Sequence, residues 1–154
     1  MKALTIAVVG LVCIAAAVWV LYYSSYSMPS ATAPLPTKQI TVGTTTITVE
    51  VVDTLAQEEQ GLSGRAALPE DRGMLFAFEY NGDWGIWMKD MKFPIDILFI
   101  SETGSVVSID ENVSPDTYPQ VFYPPLAVRY VLELPAGFAA AHGIVPDSVF
   151  NLGV

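Results

Sequence analysis

Residues 72–109 read RGMLFAFEYNGDWGIWMKDMKFPIDILFISETGSVVSI, and this stretch decides the fold class. Gly73–Phe78 alternates Met74, Phe76 and Phe78 against Leu75 and Ala77, the period-two pattern of a strand. Asn81-Gly82-Asp83 carries turn chemistry, and Trp84–Met91 is expected to return as the second arm of a hairpin. After Pro94, Ile95–Ile100 is apolar except for Asp96 and reads as another strand. Glu102-Thr103-Gly104 then turns the chain into Ser105–Ile109. Two tryptophans, three methionines and four phenylalanines in this window would dominate any core the chain builds.

Working outward, Gln39–Val42 and Thr45–Val52 flank Gly43-Thr44 and read as a half-buried hairpin, with Ile47, Val49 and Val51 opposed to Thr46, Thr48 and Glu50. Asp53 or Thr54 can cap a short helix over Leu55–Leu62, where Glu58 and Glu59 suit the first turn and Gly61 and Gly64 end it. Beyond Ile109, Asp110–Pro125 reads as a long loop with Pro115, Pro119, Pro124 and Pro125 and the aromatics Tyr118, Phe122 and Tyr123. Ala127–Leu134 alternates again, Pro135–His142 suits a short Ala-rich helix, and Val149–Leu152 suits a last strand. The expected class is mainly β: a compact sandwich or barrel with two short helices.

Lys2 is followed by Ala3–Tyr23, an apolar run long enough to cross a bilayer and ending in aromatics suited to its boundary. A cleaved signal peptide is the rival, but its apolar region is usually only about 7–15 residues long. The expected organisation is an anchor over residues 1–23, a Pro/Ser/Ala linker over 24–37 and a β domain over 38–154. With Lys2 as the nearest flanking charge, the positive-inside tendency puts the C-terminal domain outside the cytoplasm on a single-pass anchor. The one cysteine, Cys13, lies in the anchor, so the domain contains no disulfide.

From Lys38 onward the chain carries all 16 acidic side chains and six of its seven basic ones, a domain about ten charges negative. Such a surface repels polyanions, which argues against nucleic-acid partners. With a single Cys and a single His, the usual zinc sets are excluded, and no loop has the Asp-x-Asp-x-Asp-Gly calcium spacing. No Gly-x-Ser-x-Gly elbow and no phosphate-cradling glycine loop is present. No cofactor is expected.

Asp96 is the most informative polar residue, because an acid inside so apolar a strand must be met by backbone amides or by a cation such as Arg65, Arg72, Lys89 or Lys92. Trp87 and Lys89 share one face of their segment and form the better surface-site candidate, with Trp84, Ile86 and Met88 turned the other way. Arg129 and Glu133 also share a face, expected to be solvated. His142, at a helix end, reads as a mildly favourable C-terminal cation.

Gly61-Leu62, Arg65, Leu68-Pro69, Gly73-Met74-Leu75-Phe76, Trp87-Met88-Lys89, Pro94-Ile95-Asp96, Phe99-Ile100, Leu132-Glu133-Leu134, Ala136-Gly137 and Gly143-Ile144 together resemble the pattern of the domain of unknown function 192 (DUF192) family. The resemblance runs from about Ile47 to the C-terminus and implies a compact, jelly-roll-like β-sandwich. It implies no activity. Ser63, Asp90-Met91 and Pro146 depart from the family pattern, which carries Met, Asn-Thr and Gly at those places.

Without a catalytic constellation, the functional expectation is a membrane-anchored binding or scaffolding module. Its small-molecule, glycan or protein partner would contact a cleft formed by Arg65, Trp87, Lys89, Asp96 and the Pro-rich loop. The alternative is a hydrolase using Asp96 and Glu133 as paired carboxylates, which requires the two to lie either about 5–5.5 Å or about 6.5–9.5 Å apart on an open cleft, with one pKa raised.

Overall fold

In the computed structural model, which describes residues 34–153, Ile95–Ile100 is a strand with every residue buried. Its continuous apolar run has a direct cause: neighbours occupy both edges and side chains cover both faces. The elements in order are β1 (Thr37–Val42), β2 (Thr45–Val52), α1 (Leu55–Gln60), β3 (Arg72–Gly82), β4 (Ile86–Trp87), β5 (Ile95–Ile100), β6 (Val106–Val113), β7 (Val121–Phe122), β8 (Val128–Pro135), α2 (Phe138–Ala141) and β9 (Phe150–Asn151). The expected anchor and residues 24–33 of the expected linker lie outside the described residues. Among those described, no helix is long and apolar enough to cross a membrane.

The protein is mainly β with two short helices, as expected. Seven strands form one sheet in the order β6-β5-β8-β3-β2-β1-β9, curled into a half-barrel, and β4 and β7 form a separate two-stranded ribbon. β2 and β3 run parallel, which α1 makes possible by carrying the chain back across the sheet; the other pairings are antiparallel. Alternation along the strands fills two cores. Leu75, Leu98, Leu132 and Leu134 enter one, with Ile47, Val49 and Phe138. Met74, Phe76, Ile97, Phe99 and Val131 enter the other, with Leu62, Ile86 and Met88.

Three local expectations are corrected. Trp84–Met91 does not pair with β3, because β2 and β8 already occupy both edges of that strand. Instead Ile86 and Trp87 pair with Phe122 and Val121, and Trp84 lies flat on Phe78 with ring centroids 4.2 Å apart. Asp110–Pro125 is not one long loop: β6 runs to Val113, a 3-10 turn spans Pro115–Thr117, and β7 follows. Finally, Glu133 is not on a solvated face. It is 5% exposed, because α1, the turn after it and the β4 segment cover that part of the sheet.

Candidate functional site

β8 occupies the middle of the sheet, and Glu133 on it is in register with Met74 of β3 and Ile97 of β5. Met74 is in turn opposite Glu50 of β2, and Ile97 opposite Asp110 of β6. Residues aligned across a sheet share a face, so Glu50, Glu133 and Asp110 form a spaced row of acids on the side that α1 covers. Each meets a different fate. Burial raises Asp110. The Arg65 guanidinium, donating to Glu50 at 2.8 and 2.6 Å, lowers that acid despite some desolvation. Glu133 has no such partner: its Oε2 is buried without a hydrogen bond.

Burial therefore governs Glu133. It pushes the carboxyl up to about 8, against a smaller opposing pull from Arg65, so Glu133 is protonated at neutral pH. A neutral carboxylic acid offers one donor and further acceptor capacity. Leaving such a group unmatched inside a fold costs about 1–3 kcal/mol.

Glu133 is at the floor of a narrow pocket of about 60 Å³, whose walls include Glu58, Gly61, Ser63, Phe76, Trp87 and Met91. Beside it is a wider space of about 200 Å³ walled by Leu55, Phe78 and Trp84 among others. Both spaces have Glu58, Glu59, Phe76, Gly85, Ile86 and Trp87 in their walls, so they form one groove between α1 and the β4 segment. Local sequence explains its shape. Gly61 ends α1 with φ 46°, and a Cβ there would press on the Phe76 ring at 3.3 Å. A Cβ on Gly85 would come within 2.6 Å of Tyr123 and Val121, so only glycine lets the ribbon lie this close to the Pro-rich segment. The Ser63 hydroxyl donates to the Lys89 carbonyl at 2.8 Å, and the Gly64 amide to the Asp90 carbonyl at 2.9 Å, which fix the turn after α1 against the ribbon. Desolvation, and then Asp53, raise Glu58 at the rim.

The structure separates the residues expected to share one cleft. Trp87, 47% exposed, lines both parts of the groove. The Lys89 ammonium lies 5.6 Å from the Trp87 ring centroid, and Tyr118 meets that ring edge-on at 6.0 Å. Arg65 is engaged with Glu50. Asp96 is fully buried, and in the β5–β8 register it is opposite Leu134, not Glu133, so it faces the other core. There its Oδ1 accepts from the amides of Asn112 and Gly137 at 2.8 and 3.0 Å, and its Oδ2 from Ala139 at 2.9 Å. Asp96 thus fastens the start of α2 to β6, a structural task, and cannot pair with Glu133 across an open cleft. Glu58, Phe76 and Phe78 in the groove walls were not singled out from the sequence. Only the tertiary placement of α1 over the sheet reveals them. His142 stacks on Phe138 at 3.9 Å, with Nδ1 2.9 Å from the Phe138 carbonyl.

Fold and groove together define a small curled-sheet β domain with a solvent-open groove that Glu133 lines. The chain belongs to the DUF192 family, described as Uncharacterized ACR, whose model matches residues 38–152. It is similar to a candidate transcription regulator from Sinorhizobium meliloti 1021, with 31% identity, a TM-score of 0.73 and coverage of 77% of this chain and 95% of that one. It is also similar to a protein of unknown function from Novosphingobium aromaticivorans DSM 12444, with 27% identity, a TM-score of 0.72 and coverage of 79% and 89%. No curated protein matches the chain.

Proposed function

We propose that the domain is a binding module, held at the outer face of a membrane by residues 3–23, and that it captures a small molecule, or a glycan or protein side group, in the groove above Glu133. The observation that carries this reading is Glu133, which lines a solvent-open groove and has a buried carboxyl oxygen with no partner among the described residues. A ligand group matching that oxygen would gain what the empty groove forgoes. Trp87 and Trp84 add flat apolar walls. A two-carboxylate hydrolase finds no support here, since Asp96 and Glu133 face opposite cores. The regulator named in Sinorhizobium meliloti suggests nucleic acid as a partner, but a domain about ten charges negative is ill suited to a polyanion.

The test is a ligand screen on the purified full chain, read by amide shifts. Binders are expected to perturb Gly61, Gly85 and Trp87 and to weaken in Trp87→Ala. Hits that map elsewhere, or that ignore this substitution, would place the site outside the groove. The anchor is tested by N-terminal mapping of the membrane-bound protein: an intact segment over residues 3–23 is expected, and a chain beginning in the linker contradicts it.

A further inference from the structure

We infer that the groove is built for an organic monocation, an ammonium or guanidinium head on a small apolar stem, with the head seated on Glu133 and the stem between Trp84 and Trp87. This rests on the groove being a ligand site. The narrow part has three carboxyl side chains in its walls, Glu58, Glu59 and Glu133, and among the described residues neither part has a lysine or arginine. Arg65, the cation that acts on Glu133, is held by both oxygens of Glu50 and offers no fork to an anion. Faces of Trp and Phe around the wider part suit a cation and its stem alike. The 60 Å³ pocket has room for the head and the adjoining 200 Å³ for the stem. A bare metal ion fits poorly: among the described residues no three His, Cys, Asp or Glu side chains converge to hold one.

The charge balance of the step is simple. An ammonium docks on a protonated Glu133, the carboxyl releases its proton to solvent, and an ammonium–carboxylate pair replaces a neutral acid. The groups facing Glu133 from the surrounding elements are Glu50 on β2, Glu58 and Glu59 on α1, Arg65 after it and Asp110 on β6, with Lys89 outside on Trp87. Only Arg65 helps Glu133 ionise in the empty groove, so the incoming cation supplies the missing counter-charge. Affinity should then rise with pH until Glu133 ionises unaided, near pH 8.

Three matched probes on the full chain test this: 2-phenylethylammonium, 2-phenylethanol and 3-phenylpropanoate, titrated at pH 6 and pH 8. The ammonium is expected to bind roughly tenfold or more tightly than the alcohol at pH 8, to release a proton on binding, and to weaken at least about tenfold at pH 6. The anion should bind worst. In Glu133→Gln the ammonium should lose its advantage over the alcohol; Glu58→Gln, at the rim, should weaken it less. Equal binding of ammonium and alcohol in the groove would overturn the cation inference and leave the binding-module reading standing. An ammonium preference that survives Glu133→Gln would trace to the domain's overall negative charge, and that also overturns it. Failure of all three probes to move any groove amide would sink both readings.

Discussion

Asp96 and Glu133 are on adjacent strands, one register step apart, yet they face opposite cores: Asp96 is opposite Leu134, and Glu133 is opposite Ile97. The first acid is buried with three backbone amides pointed at it. The second is buried with an oxygen that no described residue satisfies. Two buried carboxyls thus serve different ends, one holding the fold together and the other lining a groove.

Glu133 should make stability depend on pH in an unusual direction. Its folded value is raised to about 8 from 4.5, so between those values the native state holds a proton that the unfolded chain has lost. The contribution is fully present below about pH 4.5 and drains as pH rises through about 8, on the order of 4–5 kcal/mol in all. Denaturant melts of the full chain at pH 5 and pH 8.5 are expected to show most of this loss, and Glu133→Gln should largely remove it. Equal pH slopes in the two proteins would refute the assignment.

Replacing Asp96 by Asn should be severe. An amide nitrogen at either position would face a backbone N–H, breaking at least one bond and leaving buried donors opposed. A loss of about 2–4 kcal/mol is expected, with faster hydrogen exchange at the Ala139 and Gly137 amides. Unchanged protection of those amides would show that the three bonds do not hold α2 in place.

Much of the fold was legible because its signals are local. Ile95–Ile100, the Gly43-Thr44 hairpin and the strand ending Leu132-Glu133-Leu134 are periodic runs bounded by turn residues, and all three form. The partner of β3 was not legible. Asn81-Gly82-Asp83 supplies the chemistry of a tight hairpin, but pairing is settled by β2 and β8, which come from distant parts of the chain. Glu133 failed for a related reason. Alternation says which side a residue faces, and only the placement of α1 and the β4 segment says whether that side is covered. Asp96 was read as an acid needing partners, and it has them; the choice of amides over Arg65 follows from the β6 bulge and α2, which no spacing in β5 announces.

Asn112 marks that bulge. Ile95 pairs with Val113 but Ile97 with Asp110, so β6 carries one extra residue there, and Asn112 adopts φ 52° while donating to Asp96. Asn112→Gly should be nearly neutral, whereas Asn112→Val should cost about 1–3 kcal/mol, because a β-branched residue resists that backbone region. Equal melting points for the two variants would exclude backbone strain as the constraint.

Arg65 should act on two acids at once. With Arg65→Met, Glu50 loses its bidentate partner and should titrate higher, while Glu133 loses the one nearby charge that favours its ionised form and should also move up. The pair itself, about a third exposed, should contribute no more than about 1 kcal/mol to stability. Carboxyl shifts that respond at Glu50 and not at Glu133 would mean that Arg65 does not reach the floor of the groove.

The central claim is that Glu133 is an unpaired, protonated acid at the base of a ligand groove. A side-chain carboxyl ¹³C titration of Glu133 in the full chain tests it most directly. A midpoint near pH 8 is predicted, falling when 2-phenylethylammonium is added. A midpoint near 4.5, unmoved by the probe, would contradict both the burial and the role assigned to it.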